Sequence, residues 1–107
     1  MLYRFTSQAT ADLIMLKQDA EKVLEVWGKP LAQPGIVTPE ALSAAIDALL
    51  NEAQRQEQAH QDAVERAKTE DEAPPPPPPV SFRVRTEPLV RALKHCLREE
   101  VPLTWKV

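Results

Sequence analysis

Two arginines two residues apart, Arg83 and Arg85 in the stretch VSFRVR, are the side chains of this sequence best suited to chemistry. If residues 80–86 are extended, both project from one face about 7 Å apart. Two guanidiniums at that separation could clamp a carboxylate or a phosphate. Thr10 and Asp12, in the polar connector near the N-terminus, complete the candidate ligand-binding set. Each has a competing structural assignment. The arginines can pair with the acidic middle of the chain, and Ser7, Thr10 and Asp12 can serve as turn and hydrogen-bonding residues between two strands.

Other reactive residue types lack the company that chemistry needs. Cys96 is the one cysteine, so no intramolecular disulfide can form. His95, Lys94 and Arg98 lie near it in sequence and could stabilise a thiolate. It also falls beside a leucine stripe in helical phase, where a free cysteine behaves as a small buried hydrophobe. His60 and His95 have no partner at metal-ligand spacing, and adjacent His95 and Cys96 point about 100° apart on a helix. Ser7, Ser43 and Ser81 sit in no nucleophile-elbow or triad context. Gly28 and Gly35, the only glycines, form no phosphate-binding loop. No catalytic residue, metal or cofactor is assigned, and the balance leans against an enzyme.

The elements that would position these residues follow from local patterning. Leu2, Arg4 and Thr6 alternate with Tyr3 and Phe5, a strand over 2–6, and the apolar run within 12–16 makes the second arm of a hairpin. A helix over 19–27, capped by Asp19, has Val23, Leu24 and Trp27 on one face and stops at Gly28-Lys29-Pro30. Ile36-Val37 is a possible short extended piece. Thr38-Pro39-Glu40 then reads as a helix start, with Thr38 as cap and proline in the first turn. Leu42, Ile46, Leu49, Leu50 and Ala53 give that helix an apolar stripe to about residue 55. Its continuation to about Lys68 has little to bury and is expected to project into water or fray. Residues 80–86 fit a strand by alternation, although proline and arginine there equally suit a helical first turn. A helix over 87–99, with Thr86 as cap, carries Leu89, Leu93 and Leu97. Alternation in the last residues predicts a final strand over 102–106.

Composition bounds the rest. At 107 residues the chain has room for one domain over 1–107, interrupted by a mobile polar and proline-rich linker at about 66–80. The six prolines Pro74 to Pro79 extend about 19 Å as polyproline II, and they read as a spacer within the domain. Net charge is −3 and residues 40–72 carry nine acidic groups against three basic ones, which argues against a nucleic-acid partner. The opening MLYRFTSQAT has no apolar core of signal-peptide length, and the longest strongly apolar run, Leu13 to Leu16, is too short to cross a membrane. With a lone thiol, this predicts a soluble cytoplasmic protein with no membrane partner.

Met1 to Phe5, Ser7, Ala9, Thr10 and Asp12 to Leu16 closely resemble the opening motif of a bacterial family known as domain of unknown function 1840. Gly35 to Glu40, Val80-Ser81, Arg83, Arg85, Pro88-Leu89 and Trp105 resemble its later blocks. The resemblance thins over about 54–79. It implies a small cytosolic bacterial protein and carries no activity and no functional residues. The expected fold is α+β: a small sheet with about three helices packed on one face. The expected role is a non-enzymatic interaction or accessory protein with an unknown protein partner or a homo-oligomer. The alternative is a small anionic-ligand-binding domain using Arg83 and Arg85.

Overall fold

A computed structural model describes residues 1–107. Four antiparallel strands, β1 (Leu2–Ser7), β2 (Thr10–Leu16), β3 (Gly35–Val37) and β4 (Leu103–Lys106), form one sheet in the order β2-β1-β4-β3. Three helices, α1 (Lys17–Trp27), α2 (Leu42–Thr69) and α3 (Phe82–Glu99), complete an α+β fold. Strand alternation decides which face the helices cover. Tyr3, Phe5, Met15, Val37, Leu103 and Trp105 are buried, while Leu2, Arg4, Ile14, Leu16, Ile36 and Lys106 on the opposite face are exposed. The helices therefore occupy one side, and one cluster of 19 residues forms the core. The expected strands at 2–6, 12–16 and 102–106 are present, and β3 joins them at the far edge.

Trp105 organises that edge. Its ring lies 5.9 Å from Phe5 and 5.7 Å from Trp27, centroid to centroid. It also passes over Gly35, its partner across the β3–β4 ladder, so closely that a Cβ at residue 35 would sit 2.3 Å from Cζ2. Glycine is required there for close approach, and a side chain would exclude the ring.

The helix boundaries differ from expectation at three starts, while α1 and α3 stop where expected, at Gly28 and Glu99. β2 runs straight into α1 at Lys17, so Leu16 holds the N-cap position and Asp19 lies inside the first turn without capping. Gly28 ends α1 as expected, left-handed at φ 69°, and Lys29 N–H donates to the Leu24 carbonyl at 2.8 Å. Pro39–Ala41 form a 3-10 turn before α2. The Thr38 side chain makes no cap bond, and its carbonyl accepts from the Ala41 amide instead. α2 continues to Thr69, so helix occupies the first residues of the stretch read as linker.

The largest correction concerns residues 80–86. They are not a strand, and α3 begins at Phe82. Ser81, not Thr86, is the cap: its Oγ accepts from the Val84 amide at 3.2 Å. Phe82, Thr86, Leu89, Val90, Leu93 and Cys96 make one continuous buried stripe at helical spacing, and burial of that stripe overrides the local alternation. Pro88 sits within the helix rather than at its start. It cannot donate to the Val84 carbonyl four residues back, but both residues lie on the exposed side of the helix, where a missing backbone bond costs less than in the core. Thr86 Oγ1 donates to the Phe82 carbonyl at 2.8 Å.

Candidate functional site

A helix at 82–99 separates the two arginines that an extended chain would have aligned. Residues two apart on a helix point about 200° from each other, and each guanidinium has its own carboxylate. Arg83 donates to Glu57 of α2 through Nε at 2.8 Å and Nη2 at 3.0 Å. Arg85 donates through Nη1 to Asp19 of α1 at 2.8 Å and through Nε to the Val80 carbonyl at 3.0 Å. The hydrogen bond to Arg83 lowers the Glu57 pKa and raises that of Arg83. Both side chains are nearly half exposed, so the pair contributes little stability.

Thr10 and Asp12 lie on the outer strand β2. Asp12 accepts from Arg4 Nη1 of β1 at 3.0 Å, and Thr10 stands opposite Ser7 in the hairpin. The four candidate ligand-binding residues thus have partners on three different elements and share no face. Cys96 is fully buried, with its thiol 3.1 Å from the Ser7 hydroxyl. His60 and His95 are half-buried on α2 and α3. No three His, Cys, Asp or Glu side chains converge as metal ligands, and no helix is long and apolar enough to cross a membrane.

Two features remain as candidate sites. The first is an open cleft of about 440 Å³ where α1, α2 and the start of α3 meet, lined by Gln18, Asp19, Lys22, Gln56, Pro78, Val80, Phe82, Arg85 and Thr86. It joins Arg85 to Lys22, a cation on α1 that sequence reasoning did not single out. Their approach depends on the packing of α1 against α3, which leaves no short-range signal. Behind Lys22, Glu52 is held at a pKa of about 2, chiefly by the Arg55 hydrogen bonds at 2.6 and 3.0 Å and further by Gln56 at 2.8 Å.

The second is the uncovered face of the sheet. Leu2, Ile14 and Leu16 are 51%, 44% and 57% exposed, and the register Leu2↔Leu16, Arg4↔Ile14 gathers them at one end. β2 forms the edge of the sheet beyond β1, and its outer side is unpaired. The sequence did carry this signal. An uninterrupted Leu13–Leu16 run in an antiparallel strand puts apolar residues on both faces, so one face had to be left bare.

The family model described as Domain of unknown function (DUF1840) matches residues 1–105. No curated protein and no solved structure matches the chain.

Proposed function

The chain belongs to the DUF1840 family, and from that premise we propose that it is a non-enzymatic cytoplasmic accessory protein of bacteria that works by protein contact, its first partner being a second copy of itself joined along β2. The observation that carries this reading is the edge strand. β2 is seven residues long and contains no proline or lysine. Those are among the devices that keep natural edges from pairing.

The strand is also self-complementary. A two-fold axis at Leu13 sets Thr10 against Leu16, Ala11 against Met15 and Asp12 against Ile14 of the other copy. The one charge, Asp12, then faces no like charge and enters the cross-sheet row that holds Arg4 and Lys106, which pair with each other across β1 and β4. Leu13 is only partly buried at the rim of the core, and pairing would cover it.

Light scattering during size exclusion, run over a range of concentrations, tests the reading. Ile14→Asp opposes two carboxylates across the seam and should give monomer, whereas Ile14→Lys opposes Asp12 and should keep the dimer. A monomeric parent, or two variants that behave alike, would overturn it.

The cleft favours a second reading, an anionic ligand bound by Arg85. Lys22 is its companion there rather than Arg83, which lies outside the cleft lining. Inorganic phosphate should raise the melting temperature of the parent and not of a Lys22→Ala/Arg85→Ala variant. No shift in the parent removes this reading.

A further inference from the structure

α2 is far longer than the core it serves. α3 returns antiparallel along it, with Arg83 beside Glu57 and Val90 and Lys94 beside Leu49 and Leu50. α3 therefore ends its cover near residue 57, and the helix from there to Thr69 overhangs by about 18 Å. A solvated overhang would be exposed all round. Instead, His60, Ala63 and Val64 are half-buried and Ala67 is only 6% exposed, while Gln58, Ala59, Gln61, Asp62, Glu65, Arg66 and Lys68 are exposed. That is one covered stripe at helical spacing.

Residues 70–81 return from the end of α2 to the start of α3 and so run beside this half of the helix. Glu72 N–H donates to the Ala67 carbonyl at 2.8 Å and Asp71 is left-handed at φ 56°, so the backbone reverses at the end of α2. Six prolines in polyproline II form then span about 19 Å, the length of the overhang. At their far end Pro77 and Pro78 face Ala53, Glu57 and His60 across a cavity of about 200 Å³.

We infer that Pro74–Pro79 is a rigid brace, packed antiparallel on the distal half of α2, which keeps that half folded and fixes the wall of the neighbouring cleft through Pro78. Proline is suited to bracing because its backbone has no N–H donor to satisfy, its carbonyls stay open to water in an exposed strap, and its φ is already set, so the strap is extended before it docks.

Hydrogen exchange by mass spectrometry tests the brace. Replacing Pro74–Pro79 by a Gly/Ser segment of equal length should speed exchange in residues 58–69 at least tenfold and leave residues 42–53 within about twofold of the parent. Ala67→Lys, on the covered stripe, should do the same, and Ala59→Lys, on the exposed side of the same helix, should not. Unchanged exchange over 58–69 in the Gly/Ser protein, or equal effects of the two lysines, would overturn the inference. The protection retained at 42–53 separates loss of the brace from loss of the fold.

Discussion

Gly35→Ala probes the contact on which the β3 edge depends. The added methyl would lie 2.3 Å from Cζ2 and 2.5 Å from Cε2 of Trp105, against an ordinary carbon contact of about 3.5–4 Å. More than about 1 Å of movement is therefore needed. The indole is only 2% exposed, and Phe5 and Trp27 lie tilted against it, so it has nowhere to go without displacing them or releasing β3. Overpacking of this kind costs about 1–3 kcal/mol, and the flanking rings place this site near 3. With an unfolding entropy of about 2.1 cal/mol/K per residue, a chain of this length should melt about 13 °C lower. Thermal denaturation by circular dichroism reads the shift, and tryptophan emission reports the moved ring. Gly28→Ala is the control: its Cβ would meet no neighbouring atom within 4 Å and only the positive φ of 69° opposes it, for about 1–2 kcal/mol. If Gly35→Ala melts within 2 °C of the parent, or no lower than Gly28→Ala, the ring does not lie over residue 35 and the reasoning fails.

Three further outcomes are expected. Glu52→Gln should cost about 0.5–1 kcal/mol at pH 7, since Arg55 is 64% exposed and water screens the pair. Glu52 has its folded pKa depressed to about 2, so its contribution is complete above the unfolded value near 4.5 and disappears as pH falls towards 2. Urea titrations of parent and variant should converge over that window, and a gap still open at pH 2 would contradict the assignment. Ser81→Ala removes the α3 cap bond and should lower stability by about 1 kcal/mol, with Ser81→Gly nearer the parent; equal stability of all three proteins would place the start of α3 elsewhere. Cys96, fully buried, should react with a thiol reagent only at the rate of unfolding, whereas prompt labelling of the native protein would show that the thiol is open.

Whatever a single element specifies by itself is legible in the sequence. Tyr3 and Phe5 alternate with polar neighbours, Leu42 to Ala53 keep a helical stripe, and Gly28 closes α1; each of these follows from residues within a turn or two. The departures are choices between two local patterns that burial elsewhere decides. VSFRVR alternates as a strand, yet Phe82 also begins the stripe that runs through Leu89 and Leu93, and contact with α2 selects the helix. Asp19 and Thr38 are sound cap residues by type. α1 starts two residues before Asp19 because β2 leads directly into it, and the turn after Thr38 tightens to 3-10 geometry, so neither side chain is placed to cap. β3 is three residues long and exists because Trp105, far along the chain, lies over Gly35. The arginine pair departs from expectation for the same reason: its spacing makes a clamp only on an extended backbone, and the helix turns the two side chains to different carboxylates.

The dimensions of the molecule give the proline run its meaning. A compact chain of this length has a radius of gyration near 13 Å, yet the value here is 16.0 Å and the long axis is 52 Å. The excess comes from α2, whose distal half leaves the core with only a strap for company. An isolated helix of that length is marginal in water, and the stripe it offers (Ala63, Val64 and Ala67) is too small to recruit a second helix of its own. A flexible return chain would lose conformational entropy on packing there that so narrow a contact could not offset. Proline has lost much of that entropy in advance. The composition that makes residues 74–79 look like a passive spacer is therefore what allows a strap to hold a helix with so few contacts, and it explains why the run is as long as the overhang it covers.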